Sequence, residues 1–393
     1  MPRPVLVLAI IAFLVALGFG IVSPVLPLFA RTFGVSTLAA GAVASSFALV
    51  RVASLPMAAK LARRLAERRV IVAGVLIVAV SSAWCAAATS YWQFLIARAA
   101  GGVGSAMFTI GATTLLFSVT PSERLGRASG LFNGGFVLGG MTGPVLGGIL
   151  TGASLRAPFV VYAIGLGFAG VVAWTMLPMH GETTASVEAQ DAEVSIRTAI
   201  HDRRYVAAVL SAFAQGWQSN GVRSLVVPLL VVETLAKPAS WSAWAFGAAA
   251  AAQALTLYGS GWISDRVGRR IALVTGSVVT ALLGLAFIAP ASYTVLVIVL
   301  CLYGVGASLA STSAQASVGD AIGRRGGPAL ASYQMAGDIG QIAGPLAAGA
   351  LLDAHSTVAA VGIGAGFLVV AAVGAMSMPR GIAPAQSLSL IHI

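Results

Sequence analysis

Charged residues are scarce in this chain. Lysine, arginine, aspartate and glutamate together make up 9% of its 393 residues, whereas hydrophobic residues make up 58%. A soluble domain carries roughly 25% charged residues, because its surface must interact with water. The scarcity of charge therefore excludes an ordinary soluble protein and indicates an integral membrane protein.

Cysteine and histidine are also rare. The two cysteines, Cys85 and Cys301, are too few for a disulfide framework. The four histidines are scattered at span ends and tails, without the spacing of metal ligands. The sequence has no phosphate-binding Gly-x-x-x-x-Gly-Lys motif either. We therefore expect no metal, no ATP and no other cofactor, and nothing indicates an enzyme.

Long apolar segments recur along the whole chain. Each is about 18 residues or longer, the length that crosses a hydrocarbon core of roughly 30 Å. Strand-like alternation is absent, and helices satisfy their own backbone hydrogen bonds in lipid. We predict an all-α membrane protein with twelve transmembrane helices at residues 5–28, 39–59, 70–89, 92–117, 128–151, 157–178, 205–232, 241–263, 271–290, 292–317, 328–351 and 356–377.

Basic residues are distributed unevenly between the predicted loops. Most of the 23 lysines and arginines lie on the side of the membrane that holds the N-terminus. By the positive-inside rule, both termini are predicted to be cytoplasmic, in a bacterial plasma membrane. The net charge of +11 then reflects topology and contact with anionic membrane lipids. Binding of nucleic acid is not expected.

The sequence repeats itself with a shift of 201 or 202 residues. The matched positions include Gly20 with Gly221, Gly143 with Gly344, and Pro144 with Pro345. Two six-helix pseudo-repeats of parallel topology are typical of transporters that work by alternating access. The predicted parts are an N-terminal half (1–178), a cytoplasmic linker (179–204), a C-terminal half (205–378) and a tail (379–393). The final residues, 387–393, resemble a translated sequencing adaptor, and we hypothesise that they are an assembly artefact.

One predicted cytoplasmic loop concentrates charge between spans 8 and 9. It reads GWISDRVGRR over residues 261–270. Gly261 is expected to let helices approach closely, Gly268 to permit a special turn, and Asp265 to bind a helix N-terminus or an arginine. The loop resembles, at every fixed position, the signature Gly-x-x-x-Asp-Arg-x-Gly-Arg-Arg of the major facilitator superfamily. This resemblance implies the major facilitator fold and a conformational latch formed by Gly261, Asp265, Arg266, Gly268, Arg269 and Arg270.

The corresponding loop of the first half departs from that signature. It reads AKLARRLAER over residues 59–68, with Arg63 where the aspartate is expected. Either Glu67 or Glu123 is expected to supply the missing negative charge.

Span 5 carries a glycine–proline pattern. Its members are Gly130, Gly139, Gly143, Pro144, Gly147 and Gly148. Glycines at this spacing give a smooth face for close helix packing, and an ordinary tight helix interface is one interpretation. The pattern also resembles the span 5 motif of twelve-span drug:proton antiporters. This resemblance implies proton-coupled efflux of small amphipathic molecules.

Charges inside a span are costly in lipid and indicate function. Arg98 lies in RAAGGVGSA, which resembles the family motif Arg-x-x-Gln-Gly-x-Gly with Gly101 in place of the glutamine. The resemblance implies that Arg98 is linked to proton transfer, as in antiporters, and a structural ion pair is the alternative. Asp338 lies about ten residues into span 11, too deep for a short side chain to reach water, and is the predicted proton-coupling carboxylate. The alternative is a permanently ionised Asp338 that pairs with Arg98 or Arg223 and only holds helices together.

Span 7 contains a polar stripe with helical spacing. Its members are Ser211, Gln215, Gln218, Ser219 and Arg223, and Asn220 lies just off its edge. The family resemblance implies that span 7 lines the substrate cavity, although hydrogen bonding between helices is an alternative. Weaker candidates are Gln253, Tyr303, Gln315 and Gln334. Three interior arginines (Arg51, Arg98 and Arg223) against one interior acid (Asp338) disfavour a strongly cationic substrate.

We therefore predict a monomeric secondary transporter that exchanges a small molecule for protons. An importer of a small organic solute with the same fold, and a non-transporting membrane sensor or scaffold, remain as alternatives.

Overall fold

The computed structural model describes residues 3–121, 124–178, 196–322 and 327–379. Every regular element in these ranges is a helix. The first half contains α1 (Arg3–Val22), α2 (Leu26–Arg31), α3 (Thr37–Arg64), α4 (Glu67–Ala87), α5 (Tyr91–Ser118), α6 (Leu125–Ala153) and α7 (Ala157–Met176). The later part contains α8 (Ile196–Ala199), α9 (Arg203–Gln215), π1 (the π-helix Gly216–Val222), α10 (Arg223–Leu229), π2 (the π-helix Leu230–Thr234), α11 (Ala239–Val267), α12 (Arg269–Leu285), α13 (Tyr293–Ile322), α14 (Gly327–Asp353) and α15 (Thr357–Met376). Glu123, linker residues 179–195 and the segment 387–393 lie outside the described residues.

Eight helices of the described chain are long and apolar enough to cross a membrane. They are α1, α3, α4, α5, α6, α7, α13 and α15. The other four predicted spans are also helical, but α11 and α14 fall outside this set, α12 has only 17 residues, and span 7 is divided into α9, π1, α10 and π2. The all-α membrane architecture is confirmed, and eight of the twelve spans satisfy the length and composition of a membrane helix.

Prolines and serines determine where several helices begin and end. Span 1 is broken between α1 and α2, where Pro24 lacks an N–H and disfavours helical geometry at the preceding residue. Ser36 and Ser90 precede α3 and α5, and each hydroxyl accepts a hydrogen bond from the backbone N–H three residues later. Such serine caps contribute about 1 kcal/mol each to helix stability.

The internal repeat is visible where the first span of each half packs against the fifth. A Cβ placed on Gly20 would lie 3.0 Å from Gly143 Cα, and a Cβ placed on Gly221 would lie 3.0 Å from Gly344 Cα. Only a residue without a side chain allows two backbones this close without displacement. The same close helix crossing is therefore built twice, at the positions that the sequence repeat predicts.

Contacts between the two halves close one end of the molecule. The carboxylate of Asp353, at the end of α14, accepts hydrogen bonds from the backbone N–H groups of Thr37 (2.8 Å) and Leu38 (2.9 Å), at the start of α3. Arg31 and Glu233 form a 3.1 Å ion pair between the halves at the same end. The positive end of the α3 dipole thus faces an acidic side chain, which is a stabilising arrangement. We call this region the Asp353 end.

Candidate functional site

A cavity with three adjoining lobes lies between the halves, and all three lobes share Phe19, Asn220 and Gln341. The aromatic lobe has a volume of about 630 Å³, and its wall includes Phe19, Phe47, Phe108, Phe136 and Tyr162. The Arg223 lobe (about 150 Å³) and the Arg98 lobe (about 20 Å³) are named after the arginine in the wall of each. A mostly apolar cavity with a few polar groups is the usual form of a small-molecule site.

An ion pair joins the halves beside the aromatic lobe. Arg51 of α3 donates a hydrogen bond from Nη2 to Oδ1 of Asp338 in α14, at 2.5 Å. Arg51 also lines the aromatic lobe. Asp338 is thus paired with Arg51, not with Arg98 or Arg223 as in the sequence-based alternative. No pattern in the sequence indicates this partner, because only the packing of α3 on α14 brings together residues 287 positions apart.

Arg98 lies deep inside the first half, in the wall of its lobe. Its side chain is 3% exposed, and Nε has no hydrogen-bond partner. The guanidinium lies over the ring of Phe47, 4.2 Å from the centroid, and 5.7 Å from the centroid of Phe19. Within the described residues, no acidic side chain lies within ion-pair distance of this arginine.

Arg223 occupies a similar environment in the second half. Its guanidinium lies 5.3 Å from the ring centroids of both Phe246 and Tyr303. Nε donates to the backbone carbonyl of Ser219 at 3.1 Å. The ion pairs of the described chain do not include Arg223 either. Both arginines are therefore held by aromatic rings instead of by carboxylates.

The π-helical segment π1 changes which residues of span 7 face the cavity. In π1 the N–H of Arg223 bonds to the carbonyl of Gln218, five residues back, so the α-helical spacing of the predicted stripe does not hold here. The Gln218 amide is fully buried without partners and lies against Gly284 and Gly364 of α12 and α15. Ser211 is fully buried as well. The structure does not bring Ser211 and Gln218 to the cavity.

Two cavity residues were missed or undervalued in the sequence. Asn220, placed at the edge of the stripe, lines all three lobes because the wider π turn rotates it inward. Gln341 also lines all three and follows Asp338 by three residues, which places both on one face of a helix. Helical spacing from Asp338 could have predicted Gln341.

The remaining predicted substrate residues line the cavity, lie behind its wall or lie away from it. Ser219 lines the Arg223 lobe, and its hydroxyl lies 2.6 Å from Gln215 Oε1 and 2.7 Å from the Tyr303 hydroxyl. Tyr303 is fully buried beneath Arg223, so it supports the cavity wall from behind. Gln253 lines the Arg223 lobe. Gln315 and Gln334 are exposed and line none of the three lobes.

The predicted latch lies at the opposite end from Asp353. Arg269 forms ion pairs with Asp265 and, at 3.3 Å, with Asp320 of α13, and both pairs stay within the second half. Arg266 packs over the Trp262 ring, and Arg270 donates to the backbone carbonyl of residue 378. Gly268 has φ +99° between α11 and α12, as expected for a turn that needs glycine. Gly261 makes no close approach, because a Cβ there would meet only Thr312, at 4.0 Å.

The glycine pattern of span 5 serves two interfaces. Gly139, Gly143 and Gly147 face the backbone of α1, which agrees with the predicted packing face. Gly148 instead contacts the ring of Trp244 in the other half, and a Cβ there would lie 3.1 Å from the ring. Gly130 has open space around it, so it takes no part in this packing.

Two helical halves thus enclose a central cavity, and an ion pair joins the halves beside it. The sequence profile described as Major Facilitator Superfamily matches residues 8–235 and, in a second match, residues 208–387. The chain belongs to the Major Facilitator Superfamily.

Relatives of known sequence agree with that membership. The chain is 28% identical over 214 residues to the quinolone resistance protein NorA of Staphylococcus aureus, covering 53% of this chain and 54% of NorA. It is 33% identical over 173 residues to an uncharacterized MFS-type transporter of Methanocaldococcus jannaschii, covering 44% of each. The chain thus spans about half the length of the curated relatives it matches.

Solved structures share the fold. The nucleoside transporter NupG matches with a TM-score of 0.74 at 16% identity, covering 95% of this chain and 99% of NupG. A bacterial homologue of the lysosomal transporter Spinster, in an inward-facing and occupied conformation, matches with a TM-score of 0.73 at 18% identity, covering 95% of each chain. At these identities the likeness is one of fold alone.

Proposed function

We propose that this chain exports small amphipathic molecules in exchange for protons, by alternating access. The observation that carries the proposal is the pair of Arg51 and Asp338, because it joins the halves at the wall of the cavity. A change in the charge of Asp338 changes the attraction between the halves directly. The span 5 glycine pattern and the similarity to a quinolone resistance protein support the direction of transport.

The contacts at the Asp353 end suggest which state the structure represents. With both termini in the cytoplasm, as the positive-inside rule predicts, the closed Asp353 end faces outward and substrate enters the cavity from the cytoplasm. Proton binding to Asp338 would replace the ion pair with a weaker hydrogen bond between the charged guanidinium and a neutral carboxyl group, at a cost of about 1 to 2 kcal/mol for a partly exposed pair. That loss would allow the halves to rock apart along α3 and α14.

The surroundings of the transporter follow from the same proposal. A protein with this topology belongs in a bacterial plasma membrane, with its basic cytoplasmic loops against anionic lipid headgroups. One chain contains both halves and the whole cavity, so a monomer suffices.

The coupling role predicted for Arg98 stays a prediction. Its guanidinium is buried beside the cavity, where it opposes the arrival of a further positive charge. A substrate that neutralised Arg98 would lower the free-energy cost of placing a proton nearby.

The test uses everted membrane vesicles energised by respiration, with acridine orange to report the pH gradient. Norfloxacin, ethidium, 2-naphthoate and 2-naphthamide are added in turn, so that the probes cover zwitterionic, cationic, anionic and neutral compounds. A proton-coupled exporter dissipates part of the gradient with at least one of them, and vesicles without the protein do not respond. An importer would instead accumulate a probe in intact cells, and a sensor would do neither; either result contradicts the proposal.

A further inference from the structure

The central cavity has an excess of positive charge among the residues that line it. Arg51, Arg98 and Arg223 line its lobes, and Asp338 pairs with Arg51 alone. Arg98 and Arg223 are left without a carboxylate partner among the described residues. Placing a charge away from water without a partner is costly, so Arg98, which is buried, and Arg223, which is half-buried, point to a ligand that supplies the missing negative charge.

Arg98 has hydrogen-bonding capacity that the protein does not use. It is 3% exposed and forms no hydrogen bond with any described residue, yet it lines the Arg98 lobe. The Phe47 ring, 4.2 Å away, fixes the plane of the guanidinium without using its N–H groups. A planar guanidinium with free N–H groups matches the two oxygens of a carboxylate.

Arg223 approaches the same region from the other half. The Arg98 and Arg223 lobes share Phe19, Ser23, Asn220, Ser224 and Gln341, so the two arginines lie on either side of a common wall of polar groups. The Nε of Arg223 donates a hydrogen bond to the Ser219 carbonyl, and the rings of Phe246 and Tyr303 orient the plane of its guanidinium. An anion between the two arginines would contact both halves at once.

The aromatic lobe indicates the size and the apolar, aromatic character of the rest of the ligand. It adjoins both arginine lobes through Phe19, Asn220 and Gln341 and has room for a body the size of a fused aromatic ring system, about 630 Å³. Aromatic side chains in its wall offer stacking and edge contacts to an aromatic group. The lobe contains one arginine, Arg51, which is already neutralised by Asp338.

We propose that the cavity binds an aromatic organic anion, with a carboxylate held by Arg98 and Arg223 and an apolar body in the aromatic lobe. This inference rests on the proposed function only in assigning the cavity as the transport site. It narrows the substrate class to anions and gives Arg98 a substrate-binding role that requires no transfer of a proton through its guanidinium.

The experiment measures binding, so that it does not depend on transport. Purified protein in nanodiscs is titrated with three compounds that share one ring system: 2-naphthoate, 2-naphthamide and 2-naphthylmethylammonium. Equilibrium dialysis gives each Kd. We expect 2-naphthoate to bind at least about 10-fold more tightly than the amide, as a charge-assisted contact predicts, and the ammonium compound to bind most weakly.

Three variants and a matched control locate the site. Arg98→Gln and Arg223→Gln should each weaken 2-naphthoate binding by about 10- to 100-fold and leave 2-naphthamide binding nearly unchanged. Arg98→Lys keeps the charge without the planar fork and should fall between wild type and Arg98→Gln. Arg127→Gln removes the same charge from an exposed position of α6 and should change neither Kd.

The outcomes separate this inference from the proposed function. If 2-naphthoate binds no more tightly than the amide, including the case in which neither binds, the inference is overturned, even when the vesicles show proton exchange with another probe. It is also overturned if Arg98→Gln and Arg223→Gln keep wild-type selectivity for the anion. Selective binding that depends on both arginines supports it, whether or not the vesicles show proton exchange.

Discussion

The Arg51 guanidinium and the Asp338 carboxylate meet at 2.5 Å across the interface of α3 and α14. Each residue belongs to a different half, and the side chains are 30% and 18% exposed, so water and protons have some access to the pair. A change of charge at either residue would therefore act directly on the interface between the halves.

We expect Asp338→Asn to fold and to bind substrate, but to lose accumulation driven by protons, because Asn keeps the hydrogen-bonding shape and cannot titrate. Downhill exchange of a probe should survive. The measurement is transport in vesicles with and without an imposed pH gradient. An Asn variant that still concentrates the probe with unchanged pH dependence would exclude Asp338 as the coupling site.

A double-mutant cycle tests whether Arg51 acts through Asp338. Arg51→Gln and Asp338→Asn should each lower thermal stability, and the double variant should lose less than the sum. The expected coupling energy is about 1 to 2 kcal/mol for contacting, partly exposed charges. Additive losses would mean that the two residues act independently.

Asp353 provides a further prediction, at the closed end. Burial alone raises the pKa of Asp353, but the hydrogen bonds from Leu38 and Thr37 outweigh it and hold the pKa below its ordinary value of 3.8. Ionised Asp353 thus stabilises the closed end. This stabilisation is fully present above the ordinary pKa of the carboxyl group and is lost as the pH falls through the lowered pKa. Spin labels at Thr32 and Ala354, on opposite halves, should keep a constant distance at neutral pH and separate only below about pH 4.

Asp353→Asn should lengthen that label distance, or broaden its distribution, at neutral pH. The expected loss is about 1 kcal/mol, as for other carboxylates at a helix N-terminus. Glu233→Gln is the matched comparison, because it breaks an exposed ion pair at the same end and should have a smaller effect. An equal response from both variants would argue against a special role for Asp353.

Gly268 and Gly261 form a matched pair within the signature segment 261–270, Gly261 inside α11 and Gly268 in the turn that follows it. Gly268 has φ +99°, where a Cβ is strained, whereas a Cβ at Gly261 has room. Gly268→Ala should cost about 1 to 3 kcal/mol and lower the melting temperature, and Gly261→Ala should not. Intrinsic fluorescence during heating measures both. If Gly261→Ala were the more harmful change, the signature glycine would have a role that this packing does not show.

Asn220 and Gln218 test the effect of the π turn on the cavity. Asn220→Ala should raise the KM for a transported probe, because Asn220 lines all three lobes. Gln218→Met should leave KM unchanged and should not destabilise the protein, since it removes two buried polar atoms that lack partners. A raised KM for Gln218→Met would mean that Gln218 contributes to the substrate cavity, as the polar stripe predicted from the sequence requires.

The sequence predicted the architecture well because lipid imposes simple rules on helices. Apolar length marked the spans, and the repeat of Gly20 and Gly143 at Gly221 and Gly344 located a helix crossing that exists in both halves. Apolar length depends only on residues that are near one another in the sequence, and the helix crossing follows from the internal repeat.

The interior of the site was harder to predict because it depends on how helices pack. Arg51 was counted as an interior charge, but its partner lies on a helix 287 residues away. The polar stripe of span 7 was drawn with α-helical spacing, which π1 does not follow. No compositional signal marks the residue at which a helix widens by one residue.

The π1 segment also makes the site sensitive to a change of one codon. A π turn holds one residue more than the α-helical turn it replaces, and each residue of an α-helix corresponds to a rotation of about 100°. Deleting one residue between Gly216 and Val222 would replace the wide turn with a regular helical turn, while the helical parts on either side kept the positions that their packing sets. The residues left in the segment would rotate relative to the cavity, and Asn220, which lines all three lobes, lies among them. The polar lining that span 7 offers to the cavity therefore depends on the number of residues in this short segment as well as on their identity.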